Sequence, residues 1–442
     1  MKFNIGMVSL GCAKNRTDSE TMLGILAESG HTLVGDPSEA DVIIINTCGF
    51  IEAAKQESID TILEMAEYKK TGRCKLLIVT GCLAERYNDE VMKEFPEADA
   101  LLGVGDYHRI AEIINRAAEG ERPAVYGHRD IDVPEGLPRI ITTGGASAYI
   151  KIAEGCDNNC TYCAIPKIRG RYRSRTMDDI VKEAEELSEN GVRELIVIAQ
   201  DTTRYGIDLY GTYKLPELLR RLCSIEKLHW IRVHYFYTEA ITDELIDVFA
   251  EEKKLCPYID MPIQHINNDI LRRMARRTNS AQIRQRIKDL REKIPDVTIR
   301  TSLITGFPGE TEEQFKELCD FVKEARLERV GVFAFSEEEG TAAADFDGQL
   351  DEGTKNRRAE ELMTIQRSIS LEKNKEKLGY RVEVLCEGYD DECFLYYGRS
   401  RADSIDVDGK VYFAADDEVM PGEFKTVEIL DCDEYDLTGK TI

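Results

Sequence analysis

Cys156, Cys160 and Cys163 stand at CxxxCxxC spacing within residues 155–175, GCDNNCTYCAIPKIRGRYRSR. So short a loop lets three thiolates converge on one metal cluster. A four-iron cluster has one more iron than this loop has thiolates, which leaves that iron open to a ligand from outside the protein. Zinc asks for a fourth Cys or His nearby, and the loop holds no histidine.

Three more cysteines form a second pattern. Cys12 in SLGC, Cys48 in NTCGF and Cys82 in VTGC each follow an apolar run, at residues 3–10, 42–45 and 76–79. Such runs read as buried parallel strands. Ligands of an open parallel sheet gather outside the carboxyl ends of its strands, so these thiols are expected on one sheet edge, holding a second cluster. A small apolar residue at a strand end would explain one such cysteine, but not three at equivalent positions. The neighbouring Gly11, Gly49 and Gly81 are expected to let the backbone approach a bulky ligand. Cys74, Cys223, Cys256 and Cys319 read as structural.

The elements that position these thiols fall into blocks. Residues 1–120 alternate strand and amphipathic helix and read as an open α/β sheet. Asp18 or Ser19 is expected to cap the first helix and Gly30 to end it. Ile59, Ile62, Leu63 and Ala66 are expected on the buried face of the second. Residues 121–141, with Pro123, Pro134 and Pro138, read as a linker.

Residues 142–373 carry strand-like runs near 149–153, 195–199, 230–236, 258–263, 298–304 and 330–335, with amphipathic helices such as 180–187, 215–222 and 315–325 between them. These βα units are too few for an eight-stranded barrel and suit a partial (β/α)6 barrel, open on one side and able to admit a macromolecule. Its first strand runs straight into the CxxxCxxC loop. A charged helix over 354–377 leads out, and residues 374–442 end as a small antiparallel β-barrel.

Other residues of the central block are candidates for cofactor contact. Tyr162 lies between two of the loop cysteines, where it packs on a cofactor or covers the cluster. Gln200 and Asp201 end the second strand. Gly306 opens GFPGET, a strand end whose following helix start offers free N–H groups. Arg169, Arg171, Arg173 and Arg175 form either a carboxylate clamp or a solvated loop. His234 and His265 read as core or rim residues.

The chain has a formal charge of −25, with 42% apolar and 32% charged residues. Residues 378–442 hold 6 Lys+Arg against 17 Asp+Glu, a net of −11. Such a surface opposes phosphate and favours a basic partner, so nucleic acid is not expected as the primary partner. Thirteen cysteines, a first segment too short in apolar residues for a leader, and no run near the ~18 apolar residues of a membrane span predict a cytoplasmic protein away from membranes.

Taken together, SLGCAKN (9–15), CDNNCTYCAIPKIRGRYRSR (156–175), MPIQH (261–265), RTSLITGFPGET (300–311) and EEGTAAADF (338–346) resemble the methylthiotransferase family of radical S-adenosylmethionine (SAM) enzymes. The resemblance covers nearly the whole chain. It departs at Thr238 and Ala342, where proline is expected. It implies an N-terminal methylthiotransferase domain, a radical SAM core and a C-terminal TRAM domain. Cys156, Cys160 and Cys163 would hold a SAM-cleaving [4Fe–4S] cluster, and Cys12, Cys48 and Cys82 an auxiliary [4Fe–4S] cluster that carries sulfur. The implied substrate is ribosomal protein S-twelve of the small subunit, modified at the β-carbon of one aspartate. One SAM is the radical source and a second the methyl donor. An electron donor such as flavodoxin or ferredoxin, and a sulfur donor, are implied partners. The alternative within the family is methylthiolation of a tRNA adenosine, and outside it an iron–sulfur carrier without chemistry of its own.

Overall fold

The computed structural model describes residues 2–442. The N-terminal sheet has six parallel strands, ordered Thr32–Leu33, Asn4–Ser9, Val42–Thr47, Leu76–Gly81, Ala100–Leu102 and Ala124–Val125. Every residue of the two central strands is buried, because helices cover both faces of the sheet, each with its own apolar core. That is why these strands read as unbroken apolar runs and not as alternation.

Some local expectations differ from what forms. The first helix, Ala13–Glu28, starts immediately after Cys12, well before Asp18 and Ser19. Both are buried inside it, since Ser19 bonds Ser9 and Asn46, and Asp18 pairs with cations of the central domain. Gly30 does follow the helix end, at φ +83°. In the second helix, Glu52–Thr71, the buried stripe runs through Ile62, Met65 and Ala66, while Leu63 is 48% exposed. The stretch 121–141 is more than a linker: Ala124–Val125 adds the edge strand, and Arg139 is held by Glu20 and Glu183.

The central domain is a parallel sheet of six strands in chain order: Ser147–Lys151, Glu194–Ile198, Trp230–Val233, Leu255–Asp260, Thr298–Thr305 and Arg329–Ala334. It does not close, so its first and last strands are free edges. The helices Met177–Glu189, Leu215–Cys223, Asp243–Glu251, Ser280–Lys293 and Glu312–Ala325 share a continuous core with it. The helix Glu352–Lys375 packs on its last strand.

The C-terminal strands Arg381–Asp390, Leu395–Ser400, Val411–Ala414, Phe424–Cys432 and Leu437–Thr441 form a closed barrel with a small core of its own. Closure removes the exposed strand edges a short β domain would otherwise carry. Its segment 399–408 enters the central barrel. Arg399 pairs with buried Glu194, Asp403 with Arg329, Ser404 bonds His234, and Asp408 accepts from the Tyr258 hydroxyl at 2.6 Å. Among the described residues no helix is long and apolar enough to cross a membrane.

Candidate active site

Cys12, Cys48 and Cys82 come together at the carboxyl edge of the N-terminal sheet. A Cβ placed on Gly11 would lie 2.9 Å from the Cys48 Cβ, and one on Gly49 would lie 2.8 Å from the backbone of Leu83, next to Cys82. At Gly11 and Gly49 the close approach is made by the neighbouring cysteine loops, which these glycines bring against one another. Asn15 ties the strand ends, donating from Nδ2 to the carbonyls of Leu10 and Thr47, and its Oδ1 lies 3.6 Å from the Cys82 Sγ. Burial raises the pKa of Cys48, and that of Cys82 to about 12. Cys12, exposed at its surface, moves the other way: desolvation by the surrounding loops would raise it, but the charges of Lys14 and Arg169 and nearby backbone N–H groups outweigh this.

Cys156, Cys160 and Cys163 follow the first barrel strand. Their loop is pinned by Cys156 N–H to Gly170 O at 3.1 Å, Thr161 N–H to Met274 O at 3.1 Å, and Cys163 N–H to Cys160 O at 3.0 Å. The Asn158 backbone N–H points at the Cys156 Sγ, and its side chain donates to Asp201 Oδ2 at 2.7 Å. The Cys160 Sγ lies 3.4 Å from the Tyr237 hydroxyl and 3.9 Å from Arg276 Nη1. Burial, reinforced by the neighbouring thiols, raises Cys163, and burial pushes Cys156 up to about 12. Such thiols ionise when they bind metal.

Among the described residues no three His, Cys, Asp or Glu side chains close on a single-ion position. Thiolates on separate irons of a cluster stand further apart than ligands of one ion, so two all-thiol trios fit clusters better than zinc. Buried polar atoms without a partner include Gln200 Oε1, Thr238 Oγ1 and Arg276 Nε. Gln200 follows the second barrel strand, Thr238 opens the turn beyond the third, and Arg276 adjoins Cys160, where a polar ligand on the open iron would meet such groups.

The other candidates are placed as follows. Tyr162 packs against Met274, Phe307 and Phe335 on one side and faces Cys160 and Arg276 on the other. Gln200 donates to Glu154 at 3.0 Å. Asp201 is buried and held by Asn158 and Thr203, so its carboxylate steadies the cysteine loop. The Gly306 N–H is taken by Glu310 at 2.7 Å, and the helix after GFPGET is capped by Thr311. The free N–H groups expected there are thus satisfied within the protein. His234 and His265 are buried, His265 against Glu310.

The two trios adjoin. Cys82 packs with Ala164 and Ile168, just beyond Cys163. Arg169, fully buried, bridges the domains: Nη1 donates to both Glu154 oxygens at 3.0 Å, and Nη2 to Asn15 at 2.6 Å and Asp18 at 3.1 Å. Lys151 joins the same carboxylates. Arg175 is buried against Asp179 and Glu183. The arginine run is therefore neither a solvated loop nor a free clamp, although Arg171 does project outward. At the other barrel edge Glu338, past the last strand, accepts from Arg86 at 3.0 Å and from the Glu52 N–H at 3.0 Å, and pairs with Lys55. The N-terminal domain is thus clasped from both edges of the open barrel.

Sequence reasoning passed over Tyr237, Arg276, Glu154, Lys14 and Glu338. Most of their partners are distant in the chain and leave no local pattern; Lys14 and Glu338 lie within residues 9–15 and 338–346, the one signal that marks them.

Comparison with known proteins agrees with this architecture. Residues 150–322 match the radical SAM superfamily, residues 4–103 the uncharacterized protein family UPF0004, and residues 378–442 the TRAM domain. The chain is 51% identical over 437 residues to the ribosomal protein uS12 methylthiotransferase RimO of Thermoanaerobacter sp. (strain X514), covering 99% of each. It is 52% identical over 440 residues to the protein of the same name from Clostridium perfringens (strain SM101 / Type A), covering 99% of this chain and 98% of that one. The fold also resembles the radical SAM methyltransferase TsrM from Kitasatospora setae, with TM-score 0.55 at 15% identity over 74% of this chain and 72% of that one. The chain belongs to the RimO family of radical SAM methylthiotransferases.

Proposed function

We propose that this enzyme inserts a methylthio group at the β-carbon of an aspartate of ribosomal protein uS12, in the cytoplasm. The observation that carries the reading is the pair of adjoining cysteine trios, one beside the open mouth of the barrel and one on the domain clasped over it. Cys156, Cys160 and Cys163 would hold the SAM-binding [4Fe–4S] cluster, and Cys12, Cys48 and Cys82 the auxiliary one. A β C–H bond has no useful acidity, so a side-chain base cannot remove its hydrogen at a practical rate. Bound there, SAM and the clusters supply a 5′-deoxyadenosyl radical, a sulfur atom and a methyl group.

The chain's own residues position and shield. Asn158 and Asp201 fix the loop that holds the first trio. Gln200, with its free Oε1, and Tyr162, beside Cys160, suit SAM contacts; Asp201 and Gly306 are already engaged by Asn158 and Glu310 and would support those contacts indirectly. The buried ion pairs of Arg169 and Lys151 shut water out between the domains. The acidic C-terminal barrel favours a basic ribosomal protein over tRNA. A reduced flavodoxin or ferredoxin and a sulfur donor would complete the cycle.

Mass spectrometry of uS12 from cells with and without this chain tests the reading. Gain of one sulfur and one methyl on a single aspartate is expected. An unmodified uS12, together with methylthiolated tRNA that depends on this chain, would overturn it.

A further inference from the structure

Lys14 lies in the motif around Cys12 but is not a cluster ligand. It is 8% exposed, and its ammonium sits 3.6 Å from the centroid of the Tyr235 ring, across the domain boundary. Among the described residues it joins no ion pair. The nearby carboxylates are taken by others: Asp18 and Glu154 by Lys151 and Arg169, and Asp260 by Arg300. An aromatic face compensates a buried cation only in part.

Tyr235 is held for this contact. Its φ is +64°, a conformation rare for an aromatic residue. Its N–H donates to Asp260 at 3.1 Å and its carbonyl accepts from Thr202 at 3.1 Å. Two residues further on, the Tyr237 hydroxyl reaches the Cys160 Sγ. On its other side Lys14 is two residues from Cys12. The ammonium, without a carboxylate partner among the described residues, thus has Cys12 on one side and the Tyr235 ring on the other, two residues along the chain from the tyrosine that reaches Cys160.

We infer that Lys14 receives the side-chain carboxylate of the target aspartate, which fixes the β-carbon between the two clusters and selects an acidic over an amide side chain. This rests on the reading that uS12 is modified at an aspartate. A charge-assisted bond to a buried ammonium fits a carboxylate and rejects its isosteric amide, which carries no charge and can turn N–H groups toward the cation. Nothing comparable would be asked of an adenosine substrate.

The test is binding of cluster-reconstituted enzyme, without SAM, to uS12 and to uS12 with asparagine at the modified position, followed by fluorescence anisotropy. Wild type should bind the aspartate form about 10- to 100-fold more tightly, the range of a charged hydrogen bond. Lys14→Met should lose that preference and Lys14→Arg retain most of it. Equal binding of both forms by wild type, or a preference that survives in Lys14→Met, would overturn the inference. So would a Lys14→Met enzyme whose only change is the reduction potential of the auxiliary cluster, because Lys14 would then serve the cluster's charge. If Lys14→Met does not fold, judged by iron content and circular dichroism, the wild-type comparison and Lys14→Arg decide. Failure of wild type to modify any aspartate of uS12 would overturn the functional reading instead.

Discussion

Arg169 donates to the Asn15 side chain at 2.6 Å, linking the loop after Cys156, Cys160 and Cys163 to the residue that gathers Cys12, Cys48 and Cys82. The same guanidinium faces Glu154 and Asp18, and all three side chains are at least nine-tenths buried. Removing one member of such a group leaves buried charge uncompensated, at a cost of about 3–5 kcal/mol. Arg169→Met should lower the unfolding free energy by that order, measured by denaturant titration of the apoprotein. Arg169→Lys should recover only part, because an ammonium cannot fork toward both domains. A loss below about 1 kcal/mol, the scale of an exposed pair, would show that the bridge is not held in solution.

Gly49 sets the distance between the Cys48 and Cys82 loops. A methyl group there meets rigid backbone at 2.8 Å, so Gly49→Ala should push the loops apart and spoil the auxiliary site alone. About eight irons per reconstituted chain should fall to about four, with reductive SAM cleavage retained. Cys12→Ala should behave alike, whereas Cys160→Ala should keep about four irons and lose SAM cleavage. Loss of SAM cleavage in Gly49→Ala or Cys12→Ala would refute the division of labour between the trios.

The cysteines and the parallel strands were legible in the sequence because both are local. A strand covered on two faces reads as an apolar run, and a thiol at its end falls at a fixed place. The contacts that orient the domains were not. Arg169 with Asp18, Lys151 with Asp18, and Arg86 with Glu338 join residues from opposite domains, and no periodicity marks such pairs. The start of the first helix escapes the sequence for the same reason: Asp18 has the chemistry of a cap and is instead half of an interdomain ion pair. Gly11 and Gly49 mark places of close approach in the sequence, and the structure adds that the neighbouring cysteine loops stand against them.

Acid should loosen the joint between the central barrel and the C-terminal barrel. Glu194 is buried; burial alone would raise its pKa, but Arg399 and Arg232 outweigh that and bring it down to about 2. A depressed carboxyl pKa gives stability that is full above the unfolded value of 4.5 and is lost as pH falls toward 2. His234, buried against Ser404 and near Asp260, Arg232 and Arg300, is lowered by that burial from 6.5 to about 3. It stays neutral in the fold while the unfolded chain takes up a proton, so stability also falls as pH drops from 6.5 to 3. Asp408, raised by burial, acts in the opposite sense. Stability should therefore fall steadily from about pH 6.5 downward, by several kcal/mol in all. Glu194→Gln should flatten the part below pH 4.5. Thermal unfolding across this range checks it, and a midpoint that does not change between pH 7 and pH 4 would contradict the assignment.

The second clasp can be tested without touching either trio. Glu338 is 2% exposed; it accepts from Arg86 and from the backbone N–H of Glu52, and pairs with Lys55. Arg86 in turn donates to Gly49 O at 2.8 Å and Glu339 O at 2.7 Å. The loop after Cys48 is thereby fastened to the segment that follows the last strand of the barrel through hydrogen bonds to charged groups, each worth about 1.5–3 kcal/mol. Glu338→Gln keeps the shape and some hydrogen bonds but leaves Arg86 and Lys55 without their shared charge. Amide hydrogen exchange over residues 48–56 should speed up about 10-fold or more, while the strand Glu194–Ile198 keeps its protection. Sulfur insertion should fall with it and SAM cleavage should persist, because the clasp sets the distance between the trios and not the chemistry at the first. Unchanged exchange over residues 48–56 would mean that the Arg169 side alone holds the domains together.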